Sequence, residues 1–144
     1  MAQPEMPAYK ILIVDDRIEN VHLVEAILQS AGYTNLVATT EARDVLGMCA
    51  LQSPDLLVLD LHMPFLNGIE VIRQLRNSQP RKRQASILML TSDASEEIHQ
   101  TALETGANDL MTKPFKRDEL VRRVGELLTA RSRFPEATRQ QWPQ

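Results

Sequence analysis

Five polar residues stand at or just after the ends of short apolar runs, and their types suit phosphoryl transfer to a carboxylate. They are Asp15, Asp16, Asp60, Thr91 and Lys113. A carboxylate can act as a nucleophile and form an aspartyl phosphate. A lysine ammonium and a threonine hydroxyl can both contact phosphoryl oxygens. The sequence therefore supplies the side chains for such a reaction if the fold brings them together.

The three aspartates also indicate a divalent cation. Three like charges in one crevice repel one another, and a cation relieves that repulsion. Oxygen ligands with retained waters suit Mg2+, with Mn2+ as the alternative. His62 lies two residues after Asp60 and offers its backbone carbonyl as a further ligand. Asp60 stands alone and fits the nucleophile role, whereas the pair Asp15 and Asp16 fits metal binding.

Alternating strand and helix patterns must position these residues. The apolar runs 11–14, 56–59 and 87–90 are typical of strands buried on both faces of a parallel sheet. Weaker strands are predicted at 35–39 and 108–112. Apolar residues at helical spacing predict helices at 17–31, 41–52, 68–77, 95–105 and 116–130. The result is an α/β fold of five strand–helix units with a mainly parallel sheet.

The intervals between the polar residues match these units. Asp15 and Asp60 are 45 residues apart, Asp60 and Thr91 are 31 apart, and Thr91 and Lys113 are 22 apart. Each interval spans one or two strand–helix units, which return the chain to the same edge of the sheet. Ligands of open α/β sheets bind at that edge. The spacing therefore predicts one shared site.

Length and composition limit the other options. The 144 residues suit one domain, with 43% hydrophobic and 24% charged residues as in ordinary globular proteins. No apolar run approaches the roughly 20 residues of a membrane span. The N-terminus lacks the pattern of a signal peptide, so we expect a cytoplasmic protein. A net charge of −3 gives no basic excess for direct nucleic-acid binding.

Each feature alone has a simpler explanation. Asp15 and Asp16 could cap a helix or lie in a solvated turn, and Asp60 could also be a helix cap. Lys113 and Pro114 could simply begin a loop. The joint pattern is much more specific than its parts.

The segments that carry this pattern resemble the receiver domain of bacterial two-component response regulators, including chemotaxis regulators. They read ILIVDD, PDLLVLDLHMPFLNG, ILMLTSD and GANDLMTKPF. The resemblance covers 9–129 and implies a flavodoxin-like, doubly wound, five-stranded parallel sheet of order 2-1-3-4-5 with five helices. Residues 1–8 are then expected to be a flexible N-terminus, and 130–144 a C-terminal tail or the start of a linker.

The resemblance also implies roles for the site residues. Asp60 would accept a phosphoryl group from a phosphohistidine on a sensor histidine kinase or a histidine phosphotransfer protein. Asp16 would bind Mg2+ directly and Asp15 through water. Thr91 would turn its hydroxyl onto the phosphoryl group, and Lys113 would pair with that group. The bond between Lys113 and Pro114 is expected to be cis.

Three positions are expected to adjust the switch. Leu110 occupies a position where many receivers have Tyr or Phe, and in those receivers the aromatic ring turns inward as the threonine moves. This coupled movement is therefore expected to be altered here. Activation is still expected to shift the fourth helix, fifth strand and fifth helix through Thr91. His62 and Asp93, each two residues after a site residue, are expected to tune the lifetime of the phosphoryl group.

The resemblance predicts a phosphoacceptor with slow autodephosphorylation, not an enzyme. A phosphatase of the haloacid-dehalogenase type would need an Asp-x-Asp pair at the first strand, where this chain has Asp15, Asp16 and Arg17. The alternatives are a receiver-like scaffold that is never phosphorylated and a receiver from a larger multidomain regulator. The partner would be a downstream protein or a missing output domain, and homodimers are a further option.

Overall fold

The computed structural model describes residues 8–132. The predicted flexible N-terminus therefore lies outside the described residues except for Ala8, and so do residues 133–144 of the predicted tail. Residues 130–132 of that tail are helical and form the last turn of the C-terminal helix.

Strands and helices alternate along the chain as predicted. The strands are β1 (Lys10–Val14), β2 (Asn35–Thr39), β3 (Leu56–Asp60), β4 (Ser86–Thr91) and β5 (Asp109–Thr112). The helices are α1 (Ile18–Ser30), α2 (Val45–Gln52), α3 (Gly68–Ser78), α4 (Glu96–Thr105) and α5 (Arg117–Ser132). The predicted helix 41–52 is divided into a 3-10 turn, Ala42–Asp44, followed by α2. A second 3-10 turn, Arg81–Arg83, precedes β4.

The five strands form one parallel sheet of order β2-β1-β3-β4-β5. This confirms the flavodoxin-like architecture. The register pairs Val14 with Leu59, Asp60 with Leu90, and Thr91 with Thr112. The carboxyl ends of β1, β3, β4 and β5 therefore lie nearly level, and the polar residues that follow them share one edge.

Two apolar layers enclose the sheet. Leu57 and Leu59 face a cluster built with α2, α3 and α4, whereas Leu56 and Val58 face a cluster built with α1 and α5. All five residues of β3 are buried. Each fully buried Leu or Val contributes about 1.5–3 kcal/mol relative to exposure, so β3 is a firm base for Asp60 at its end.

Side-chain caps fix the helices that begin near this edge. The Ser95 hydroxyl accepts the Ile98 N–H at the start of α4, as a capping serine should. Asn67 and Glu70 form a capping box at the start of α3, with each side chain accepting the other residue's backbone N–H. These caps hold the loops after β3 and β4 in place beside the site.

Candidate functional site

Asp60 ends the central strand β3 and is only 6% exposed. Its Oδ1 accepts a hydrogen bond from Lys113 Nζ at 2.8 Å. Lys113 follows β5, and its backbone N–H donates to the Thr91 carbonyl at 2.7 Å. The main chain thus ties the lysine to β4, and its ammonium reaches across to β3.

Asp15 lies beside Asp60 at the end of β1 and is 4% exposed. Its Oδ2 accepts from Lys113 Nζ at 3.2 Å. Its Oδ1 accepts from the Arg17 N–H at 2.9 Å and from Asn20 Nδ2 at 3.3 Å. Both oxygens of this buried carboxylate are therefore fixed by donors.

Asp16 completes an acidic cluster with Asp15 and Asp60, and their ligand atoms lie within 4.8 Å of one another. Asp16 is the most exposed of the three carboxylates, since Asp15 and Asp60 are both buried. Three oxygen donors at this separation fit a hard divalent cation such as Mg2+, which usually keeps several waters. The donor set therefore fits the metal that the sequence predicted.

The charges of the cluster act on one another. Burial raises the pKa of the Asp60 carboxyl, the bond from Lys113 offsets part of that rise, and the charges of Asp15 and Asp16 add to it. Burial alone would lower the pKa of Lys113, but its contacts with Asp60 and Asp15 raise it overall. The ammonium therefore stays charged and is the cation that offsets this cluster's negative charge.

Thr91 ends β4 and is fully buried. Its hydroxyl oxygen accepts the Asp93 N–H at 2.9 Å. Because this contact uses an oxygen lone pair, the hydroxyl proton remains available for donation to a phosphoryl oxygen. The structure thus brings Thr91 to the same edge as the acidic cluster, in a form suited to the predicted role.

His62 and Asp93 lie near each other at the mouth of the site. His62 is exposed and Asp93 is half-buried. The pKa of the Asp93 carboxyl is lowered, first by hydrogen bonds from Ser95 and also by the nearby charge of His62. Two residues that the sequence predicted separately are thus electrostatic neighbours.

The loop between β3 and α3 is shaped by close contacts. A Cβ on Gly68 would lie 2.7 Å from the Asp60 carbonyl oxygen and 3.0 Å from the Leu61 Cα, so only glycine fits. Phe65 has a φ of 70°, and the Arg43 guanidinium lies 4.0 Å from the centre of its ring. The bond between Lys113 and Pro114, in the loop after β5, is cis.

Two features of the site have no counterpart in the sequence predictions. Asn20 contacts Asp15, and its only sequence signal is its place in the first turn of the helix that follows the acidic pair. The stacking of Arg43 on Phe65 joins loops that are 22 residues apart in the chain, and no local pattern indicates it.

The model of the response regulator receiver domain matches residues 11–125. This span includes every residue of the acidic cluster, as well as Thr91 and Lys113. The chain belongs to the response-regulator receiver family.

Longer transcriptional regulatory proteins are among its relatives. It is 40% identical over 119 residues to the alkaline phosphatase synthesis transcriptional regulatory protein PhoP of Bacillus subtilis, covering 83% of this chain and 48% of PhoP. It is 39% identical over 121 residues to the transcriptional regulatory protein CpxR of Escherichia coli, covering 83% of this chain and 49% of CpxR. The chain thus spans about half the length of these relatives.

Solved receiver structures are also similar. The chemotaxis response regulator CheY4 of Vibrio cholerae is 30% identical, with a TM-score of 0.76 over 84% of this chain and 99% of CheY4. The receiver domain of the sensor histidine kinase PA1611 of Pseudomonas aeruginosa is also 30% identical, with a TM-score of 0.76 over 85% of this chain and 99% of that one. The PA1611 structure has a magnesium ion coordinated in the active site cleft.

Leu110, which the sequence predicted as a switch position, is buried. Leu110 is 6% exposed and belongs to the cluster on the side of α2, α3 and α4. Its carbonyl accepts from Arg123 of α5 at 3.3 Å, and Arg123 also pairs with Asp109 at 2.7 Å. An aliphatic side chain here has no ring to turn between an outward and an inward position.

Within residues 8–132 of this receiver, no helix combines the length and apolar character needed to cross a membrane.

Proposed function

We propose that this receiver takes up a phosphoryl group on Asp60, with Mg2+ bound by Asp15, Asp16, Asp60 and the His62 backbone carbonyl. The observation that carries this proposal is the bridge from Lys113 Nζ to both Asp60 and Asp15 within an acidic cluster. This arrangement holds a nucleophile, a metal-ligand set and a fixed cation within reach of one incoming group. It supports a phosphoacceptor of two-component signalling over a scaffold that is never phosphorylated.

In the proposed transfer, an Oδ atom of Asp60 forms a bond to phosphorus as the phosphorus–nitrogen bond of the donor phosphohistidine breaks. The electron pair of the broken bond returns to the imidazole. Bound Mg2+ would offset charge on the transferring phosphoryl oxygens. Lys113 is already at hydrogen-bonding distance from Asp60 and would follow the new charge onto the phosphoryl group. Thr91 would donate its hydroxyl proton to another phosphoryl oxygen.

The partners follow from this chemistry. The donor would be a sensor histidine kinase or a histidine phosphotransfer protein. The output would lie in a downstream protein or in a further domain. The second option is supported by the relatives PhoP and CpxR, which are about twice the length of the matched region. We place the receiver in the cytoplasm, and we assign it no catalytic turnover beyond slow loss of its own phosphoryl group.

The requirement for metal is tested by phosphorylation with acetyl phosphate, followed on a gel that retards phosphoproteins. We expect the wild type to be modified with Mg2+ but not with excess chelator. Asp16→Asn should need much more Mg2+, whereas Asp118→Asn, at an exposed position on α5, should behave as the wild type. Modification that does not depend on Mg2+ or on Asp16 would contradict the proposed metal site.

A further inference from the structure

We propose that Asn20 is a positioning residue that orients Asp15 and thereby raises the affinity of the site for Mg2+. This inference rests on the proposed function, because it assigns a role toward the same metal. Asn20 itself is not expected to contact the metal or the phosphoryl group.

The geometry places Asn20 behind Asp15, on the side of α1. Its Nδ2 donates to Asp15 Oδ1 at 3.3 Å, and the Arg17 N–H donates to the same oxygen at 2.9 Å. Lys113 contacts the other oxygen, Oδ2, and also Asp60. Asp15 is thus held with Oδ1 toward the helix and Oδ2 toward the acidic cluster.

It matters that each oxygen of Asp15 has its own donors, because the χ2 torsion of an aspartate side chain is broad and the carboxylate rotates easily about it. A carboxylate without donors on one side can rotate and present either oxygen, or neither, to a bound cation and its waters. Donors behind a ligand fix its orientation, and losing one typically weakens metal binding by about 10- to 100-fold. Asn20 and Arg17 are the two donors on the far side of Asp15.

The surroundings of Asn20 support a directed role for its amide. Asn20 and Asp15 line a pocket of about 390 Å³ together with Ser92, Lys113 and five apolar side chains. The apolar side chains are Leu23, Val24, Leu90, Pro114 and Phe115. The amide of Asn20 is therefore the polar group that α1 contributes to the lining of this pocket. Its Nδ2 donates a hydrogen bond to Asp15.

The helix itself does not require asparagine here. Arg17 is the N-cap of α1 and makes no side-chain cap hydrogen bond, and Asn20 lies three residues later, inside the first turn. Asparagine is a weaker helix former than alanine at such a position. Replacing Asn20 by Ala should therefore leave α1 folded and remove only the donor to Asp15.

The test is calorimetric titration of Mg2+ into the full chain. Asn20→Ala and Asn20→Leu both lose the donor, and Leu keeps the branched shape and the number of side-chain heavy atoms of Asn. We expect both variants to bind Mg2+ about five- to tenfold more weakly than the wild type. This loss of affinity is smaller than the largest losses seen when a donor behind a metal ligand is removed, because the Arg17 N–H still holds Asp15 Oδ1. Asn20→Gln keeps an amide donor and should stay within about threefold of the wild type. Asn77→Ala, the same change at an exposed site on α3, should bind as the wild type.

A second readout separates positioning from chemistry. The rate of phosphorylation by acetyl phosphate is measured against Mg2+ concentration. For Asn20→Ala, the half-saturating Mg2+ concentration should rise by the same factor as the dissociation constant, while the rate at saturating Mg2+ stays close to that of the wild type. A merely structural defect would lower the saturated rate and leave the half-saturating concentration unchanged.

The possible results are distinct. Wild-type affinity in Asn20→Ala and Asn20→Leu would overturn the inference, and so would loss of the fold in both variants, because the role would then be structural. If only one variant loses the fold, the other decides. Absence of Mg2+ binding by the wild type would instead overturn the proposed function itself.

Discussion

Lys113 is the residue on which the electrostatics of the site depend. Its ammonium contacts two carboxylates at 2.8 and 3.2 Å, and its side chain is 23% exposed. At such burial a charge pair is screened less than at the surface, so these contacts should have measurable effects on titration.

Lys113→Met should raise the pKa of Asp60 further in the absence of metal, because the hydrogen bond and charge that oppose the effect of burial are lost. A raised pKa means that Asp60 keeps its proton up to a higher pH. As the pH is lowered, the variant should therefore become protonated at Asp60, and lose the nucleophilic carboxylate, at a higher pH than the wild type does. Carboxyl carbon NMR across a pH titration measures this, with Lys116→Met as an exposed control. An Asp60 titration that is unchanged or lower would count against the role of Lys113.

His62→Ala should leave phosphorylation of Asp60 intact and speed the loss of the phosphoryl group several-fold. The His62 side chain is exposed near Asp93 at the mouth of the site, so its removal opens a path for attacking water. Dephosphorylation is followed after rapid removal of acetyl phosphate. His99→Ala, an exposed change on α4, provides the control. An unchanged rate in His62→Ala would leave His62 as a simple surface residue.

Among the structural elements, the loop from β3 to α3 is the most tightly constrained. The Gly68 N–H donates to the Leu61 carbonyl at 2.7 Å, so α3 begins directly against the end of β3. This close approach positions Asp60 and the loop through His62 relative to each other. The shortest contact of a Cβ on Gly68 would be with the Asp60 carbonyl oxygen, a backbone atom that cannot rotate away as the Met89 side chain, 3.0 Å distant, could.

Gly68→Ala should lower the free energy of unfolding by about 1–3 kcal/mol, because the added methyl overlaps the backbone of Asp60 and Leu61. Urea denaturation followed by circular dichroism measures the change. Gly47→Ala is a matched control in α2, where an added Cβ meets nothing within 4 Å. That control should raise stability by about 0.5–1 kcal/mol, since alanine is the better helix former. Equal effects at both positions would contradict this account of the loop.

The elements were largely predictable from sequence, because buried parallel strands read as continuous apolar runs. Leu56–Asp60 illustrates this, since all five residues are buried. The shared edge of Asp60, Thr91 and Lys113 also followed from strand–helix spacing. The contact of Asn20 with Asp15 and the stacking of Arg43 on Phe65 did not, because they depend on side-chain orientation at loops and helix ends.

Hydrogen bonds link the site to β5 and α5, two elements of the face formed by α4, β5 and α5. The Thr91 carbonyl accepts the Lys113 N–H, and Arg123 of α5 contacts Asp109 and the Leu110 carbonyl of β5. A shift of Thr91 toward a phosphoryl group would therefore act on β5 and α5 through existing contacts. Such activation is a population shift driven by a local change of charge.

Binding of beryllium trifluoride with Mg2+ should change this face even though Leu110 replaces the usual aromatic residue. Amide NMR spectra should show shifts in α4, β5 and α5 that exceed those in α2, which lies away from these contacts. The same experiment on Thr91→Ala should lose most of these shifts. Nearly identical spectra across α4, β5 and α5 with and without beryllium trifluoride would contradict the predicted activation.

Asp60 is expected to be the residue that carries the phosphoryl group. Intact-protein mass spectrometry after treatment with acetyl phosphate and Mg2+ tests it directly on the wild type, Asp60→Asn and Asp109→Asn. We predict that the wild type and Asp109→Asn gain the mass of one phosphoryl group and that Asp60→Asn gains none. An unmodified wild type, or full modification of Asp60→Asn, would contradict the assignment.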